Sequence, residues 1–170
     1  MNPKQIKKIV LSAMLIALAV SLSAFSFPVF ASRCFPIQHL VNLIAGIFLG
    51  PAYAVAIAFS TSLIRNLMGT GSLLAFPGSM IGAFCCGMIY RYTKNRGLTY
   101  LGEIFGTGIL GGMSAYPVAV HFMGKEAAVF TYVLPFLIST AGGSMVAALL
   151  IAIMDKSGVL RYLKNRGELR

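Results

Sequence analysis

Three basic clusters separated by long uncharged runs constrain this chain more than any other feature. Lys4/Lys7/Lys8, Arg91/Lys94/Arg96 and Lys156/Arg161/Lys164/Arg166/Arg170 hold eleven of its fourteen Lys and Arg residues. Arg33, Arg65 and Lys125 are the remainder. No charged residue lies between Lys8 and Arg33, or between Arg65 and Arg91. A helix needs roughly 20 apolar residues to cross the hydrocarbon of a bilayer, and Lys and Arg collect at the cytoplasmic edge. The pattern predicts an all-α integral membrane protein whose charges report its topology.

Composition narrows the class. Only 11% of residues are charged, against about a quarter in a soluble domain. A net charge of +10 would suit nucleic acid if it formed one patch, but here it marks the edges of apolar runs. The run from Ile9 to Phe27 is long for the core of a signal peptide, and no small-x-small cleavage site follows it. Cys34, Cys85 and Cys86 have neither a disulfide framework nor metal spacing, and read as small apolar side chains.

Six transmembrane helices are expected, over about 9–27, 37–49, 51–68, 73–90, 98–121 and 127–154, with 155–170 as a basic cytoplasmic tail. Gly50-Pro51 divides one long apolar run, because Gly suits a helix C-terminus and Pro the first position of the next helix. Parity supports the division. With a turn there, four crossings separate Lys8 from Arg91 and two separate Arg96 from Lys156, so both termini are expected to be cytoplasmic. The string Arg-Tyr-x-Lys-Asn-Arg-Gly occurs at Arg91–Gly97 and again at Arg161–Gly167. It reads as two similar helix exits among anionic headgroups rather than as a duplicated architecture.

This topology brings most of the remaining polar side chains to the outer face: Arg33, Gln38, His39, Asn42, Arg65, Asn66, Thr70, Ser72, Tyr116, His121, Lys125 and Glu126. Polar groups at membrane depth are costly unless paired or lining a hydrated cavity. The candidate substrate site is therefore Arg33, Gln38, His39, Asn42, Arg65, Asn66, Ser72, Phe76, Tyr116 and His121. His39 and Asn42 share a helical face; the alternative is that Gln38 and Asn42 only bond a neighbouring helix. Phe76, Tyr116 and Tyr132 offer stacking surfaces or form an interfacial belt. The glycines of Gly69–Gly78 allow close backbone approach, and Pro77-Gly78 is placed to leave backbone groups free in a cavity. No phosphate-loop string is present. Glu103 is expected to snorkel to the cytoplasmic edge or pair with Arg91–Arg96, with proton coupling the less favoured reading. An enzyme is disfavoured, since no Gly-x-Ser-x-Gly occurs and neither His39 nor His121 has an evident acidic partner. No metal site or bound cofactor is expected.

On the first helix, Ala13, Ala17, Ser21 and Ala24 form a small-residue stripe that permits close helix packing, within the bundle or onto a partner. This Ala-x-x-x-Ala stripe (Ala13, Ala17), six spans in a chain of 170 residues, and outward polar groups resemble the substrate-binding S components of energy-coupling factor (ECF) vitamin transporters. The runs Arg33–Asn42 and Arg65–Gly78 are similar to those of the ThiW group, which is assigned to the thiazole precursor of thiamin. The resemblance covers essentially the whole chain. It implies an S-component bundle in a prokaryotic plasma membrane that captures hydroxyethylthiazole or a relative. It also implies a transmembrane T component docked on Ala13, Ala17 and Ser21, with two separate ATPase subunits that use ATP. A stand-alone metabolite channel or facilitator is the competing expectation.

Overall fold

The computed structural model describes residues 2–29, 32–158 and 160. Its helices are α1 (Pro3–Ser21), α2 (Pro36–Phe48), α3 (Pro51–Leu67), α4 (Ala75–Thr93), α5 (Arg96–Glu103), α6 (Gly112–Met123) and α7 (Val133–Lys156). A π-helical segment, Ile104–Gly111, joins α5 to α6 without a break in right-handed helical backbone. Among the described residues these make six helical rods. Gln5–Ala24 and Val133–Lys156 are each long and apolar enough to cross a bilayer.

The chain departs from expectation at three places. After α1, a 3₁₀ turn at Leu22–Ala24 ends the helix earlier than Phe27. An antiparallel hairpin then pairs β1 (Phe27–Val29) with β2 (Ser32–Cys34), in register Phe27↔Cys34, Pro28↔Arg33 and Val29↔Ser32. The last rod begins at Val133 rather than Ala127, because Ala128–Val133 turns on short-range bonds such as Ala128 N–H to Thr131 Oγ1. The second basic string, Arg161–Gly167, lies outside the described residues.

The break between α2 and α3 follows local chemistry. Gly50 has φ +94°, a region that favours glycine, and Pro51 opens α3 where its missing N–H costs nothing. Pro77 likewise falls in the first turn of α4, so that helix forms without exposing backbone groups. Of the carbonyls or amides expected to be free near Pro77-Gly78, the carbonyls of Ser72 and Leu73 are engaged, accepting from the Ala75 and Phe76 N–H groups. Gly78 serves packing instead: a Cβ there would lie 2.6 Å from the Phe136 ring.

Three contacts place the first two basic clusters, and Lys156 of the third, at one end of the bundle. Lys8 Nζ sits 5.4 Å from the Tyr53 ring centroid near the start of α3. Gly87, late in α4, packs against Pro51. Arg96 at the start of α5 pairs with Asp155 at the end of α7. The hairpin, the Met68–Leu74 connection and the start of α7 therefore lie at the other end.

That far end is fastened by hydrogen bonds. Cys34 is fully buried, its thiol donates to the Pro135 carbonyl at 3.5 Å, and burial pushes it above its ordinary pKa. The Phe35 N–H donates to Ser139 Oγ at 2.8 Å. Asn66 Nδ2 donates to the carbonyls of Ser62 and Ser72, clamping the Met68–Leu74 connection onto the end of α3. Helix α1 lies outermost: Leu15 and Ala19 are buried against Val41, Ala45, Ala54, Ile57, Ala58 and Ala83. Ala13, Ala17, Ser21 and Ala24 face outward and are exposed, so this stripe does not serve packing within the bundle.

Candidate functional site

A cavity opens at the end opposite the basic clusters. The hairpin contributes Arg33 and Phe35, the first turn of α2 Gln38 and His39, and the end of α3 Arg65. Ser72, Leu74, Ala75 and Ser79 come from the start of α4 and its approach, Thr107 from the π segment, and Phe136 and Ser139 from α7. About 420 Å³ is unfilled by atoms, counting the space open at the mouth. A shallower outer basin shares Arg33, Phe35, Ser72 and Leu74 with it and adds Asn66 and Lys125. The two form one path from the surface inward.

Two hydrogen-bonded groups shape the cavity. In the first, Arg65 is 1% exposed, and its guanidinium carbon lies 3.7 Å from the Phe35 ring centroid. This cation–π contact offsets part of the cost of burying the charge. Nη1 donates to Gln38 Oε1 at 3.0 Å. Nε and Nη2 of Arg65, and Nε2 of Gln38, are buried without a protein partner.

The second group centres on Glu103, which is fully buried. Asn42 Nδ2 and Thr107 Oγ1 each donate to its Oε1 at 3.0 Å. His39 Nδ1 lies 3.1 Å from the same oxygen, and its Nε2 lies 3.0 Å from Ser139 Oγ. The Glu103 carboxylate oxygen accepts at Nδ1, which assigns the proton of a neutral His39 ring to Nδ1 and leaves Nε2 to accept the Ser139 hydroxyl, while Ser139 Oγ accepts the Phe35 N–H. The chain thus runs Phe35 N–H to Ser139, Ser139 to His39, and His39 to Glu103.

Glycines let this second group form. A Cβ on Gly82 would overlap Thr107 Oγ1 and come within 2.8 Å of Glu103 Oε2. A Cβ on Gly143 would lie 2.7 Å from that of His39. The π geometry of Ile104–Gly111 accommodates close contacts of the same rod with α4 and α7, and such segments recur at functional sites.

Of the sequence candidates, Arg33, Gln38, His39, Arg65 and Ser72 line the inner cavity, and Asn66 lines the basin. Asn42 lies behind the lining and bonds both the Ser79 carbonyl and Glu103. It therefore follows the alternative reading, a tie between helices. Phe76, Tyr116 and His121 line neither cavity. Phe76 is one residue, about 100°, round α4 from Ala75, and its ring meets Phe59 at 5.7 Å. Tyr116 is likewise turned from the buried Ala115 and Ala119 face, and His121 is exposed near the end of α6. Tyr132 is buried beside Phe136.

Glu103 does not pair with Arg91–Arg96 and does not snorkel. It also supplies the acidic partner that His39 lacks when only the sequence is read. Serine, histidine and acid now stand in the order of a hydrolytic triad. Ser139, however, sits inside α7, where the neighbouring N–H groups bond along the helix and leave no oxyanion hole. Ser79, Thr107 and Ser139 were missed because isolated hydroxyls in apolar helices commonly bond their own backbone, as Ser79 does with Ala75, and Phe35 and Phe136 because an aromatic ring among apolar residues reads first as packing. Among the described residues no three His, Cys, Asp or Glu side chains gather as a metal site.

Apolar helical rods around an internal cavity, with polar groups turned into it and apolar side chains turned outward, define a class: a helical membrane protein that handles a small molecule. The family description "Thiamine-precursor transporter protein (ThiW)" matches residues 9–157. The chain belongs to that family, whose activity is thiamine-precursor transport. No match was found among curated proteins.

Proposed function

We propose that this chain is the substrate-capture (S) component of an ATP-driven ECF importer, and that its cargo is hydroxyethylthiazole or a close relative. The observation that carries the reading is the cavity beside the hairpin, at the end of the bundle opposite the basic clusters. With Lys and Arg on the cytoplasmic side, this end faces outward. Both termini are then cytoplasmic and the chain makes six passes through a prokaryotic plasma membrane.

The recognition chemistry follows from the lining. A flat heteroaromatic ring slots between Phe35, Leu74 and Phe136. Gln38 and Ser139, with the hydroxyls of Ser72, Ser79 and Thr107, offer hydrogen bonds to ring nitrogen and side-chain oxygen. His39 is oriented by Glu103 and Ser139. The sequence has no nucleotide-binding string, so ATP energy enters through two partner ATPase subunits. A T component docks on the exposed Ala13, Ala17 and Ser21 face, and the loaded S component topples to present its cavity inward. Equilibrium binding of radiolabelled hydroxyethylthiazole to the purified chain tests the reading. Saturable binding is expected, and its absence together with saturable binding of an unrelated metabolite would refute it.

A further inference from the structure

The geometry points to an anion-binding subsite at Arg65, so that the cargo carries a negatively charged group, a phosphate ester or a carboxylate, rather than being neutral. This deepens the capture reading and rests on it. Arg65 is a buried cation with no carboxylate partner: its bonded nitrogen meets the neutral amide oxygen of Gln38. The Phe35 ring covers one face of the guanidinium but accepts none of its in-plane N–H groups. A buried charge left this way is destabilising unless something completes it. The groups without partners are Arg65 Nε, Arg65 Nη2 and Gln38 Nε2, all of them donors.

They stand together on residues that line the cavity, and they ask for a ligand rich in acceptors. Paired guanidinium N–H groups match the oxygens of a phosphate or carboxylate. Charge along the path agrees. Arg33 lines both the cavity and the basin, and Lys125 lines the basin. Among the described residues neither lining includes a carboxylate. Glu103 lies behind the lining, where His39, Asn42 and Thr107 take up Oε1, and its other oxygen, buried without a protein partner, lies beside Gly82 of α4. An anion entering from outside therefore meets cations at the mouth and at the floor, a field that concentrates it.

The test is calorimetric titration of the purified full-length chain with three probes: hydroxyethylthiazole, its phosphate monoester and inorganic phosphate. The monoester is expected to bind about 10- to 100-fold more tightly than the alcohol, the range set by charge-assisted hydrogen bonds. Arg65→Gln is expected to erase that preference by weakening the monoester far more than the alcohol, and Arg65→Lys to restore part of it. Equal or tighter binding of the alcohol by the unaltered chain overturns the subsite and leaves the capture reading standing. If neither thiazole compound binds, the capture reading falls by itself. Saturable binding of inorganic phosphate that Arg65→Gln abolishes then upholds the subsite, and no such binding overturns it. Should Arg65→Gln fail to yield folded protein, the affinity ratio of the unaltered chain decides, with Arg33→Gln at the exposed rim expected to weaken the monoester several-fold.

Discussion

Single side chains here divide between those that meet a ligand and those that hold the wall in place, and neighbouring polar residues fall on opposite sides of that line. Gln38 faces the cavity and orients Arg65. Gln38→Ala should weaken ligand binding roughly tenfold, and it should also cost about 1–3 kcal/mol of stability, because it leaves Arg65 Nη1 buried without an acceptor. Asn42, four residues on, should affect stability alone. Its amide bonds a carbonyl of α4 and a carboxyl of α5, so Asn42→Ala should cost about 2–3 kcal/mol of stability, read as a lower unfolding temperature by circular dichroism. Glu103→Gln tests the same network: the amide oxygen can keep the place of Oε1, but the bonds from His39, Asn42 and Thr107 lose their charge assistance, and the amide N–H groups take the buried place of Oε2, which has no protein partner. A loss of about 1–3 kcal/mol is expected. The shared face of His39 and Asn42 was legible from their spacing of three. Their common partner was not, because Glu103 is 64 residues away from His39 in sequence and depth counted along its own helix suggests an interfacial group. The pairing is tertiary, and periodicity does not reach it.

At the scale of elements, breaks written in Gly and Pro were readable and those written in packing were not. Gly50-Pro51 announced the α2–α3 turn through its own backbone preferences. The hairpin gave no such signal, since strands of three residues are too short to show an alternation. What holds β2 is its neighbour α7, through Cys34 and Phe35. The π segment is similar, since glycines in an apolar run are read first as sites of close packing. Gly82→Ala should therefore be severe: its methyl would overlap Thr107 Oγ1, and relief requires moving the π segment or breaking the Glu103 network. A loss of about 1–3 kcal/mol, typical of overpacking, is expected, with lower yields of monodisperse protein on size-exclusion chromatography. Gly142 is the control, because a methyl added there would meet no atom within 4 Å. Gly142→Ala should leave the elution profile unchanged.

For the whole molecule, the apolar rods and one-ended charge clusters were already present in the spacing of Lys and Arg. The floor of the cavity needed coordinates, because it is assembled from five separate stretches of chain. The outermost rod is a separate case. Ala17→Leu places bulk on the exposed face of α1 and should leave unfolding temperature and ligand affinity unaltered. It should abolish co-purification with the proposed T component, because close helix approach needs small side chains. If the partner is retained, the stripe is not its seat. None of the cavity-lining residues comes from α1, and that rod touches the remainder mainly through a strip containing Leu15 and Ala19. On the proposed toppling cycle the molecule is a vessel with a handle: a neighbour gripping the handle would swing the vessel as a unit, and the load inside would feel no squeeze until the mouth reached a new medium.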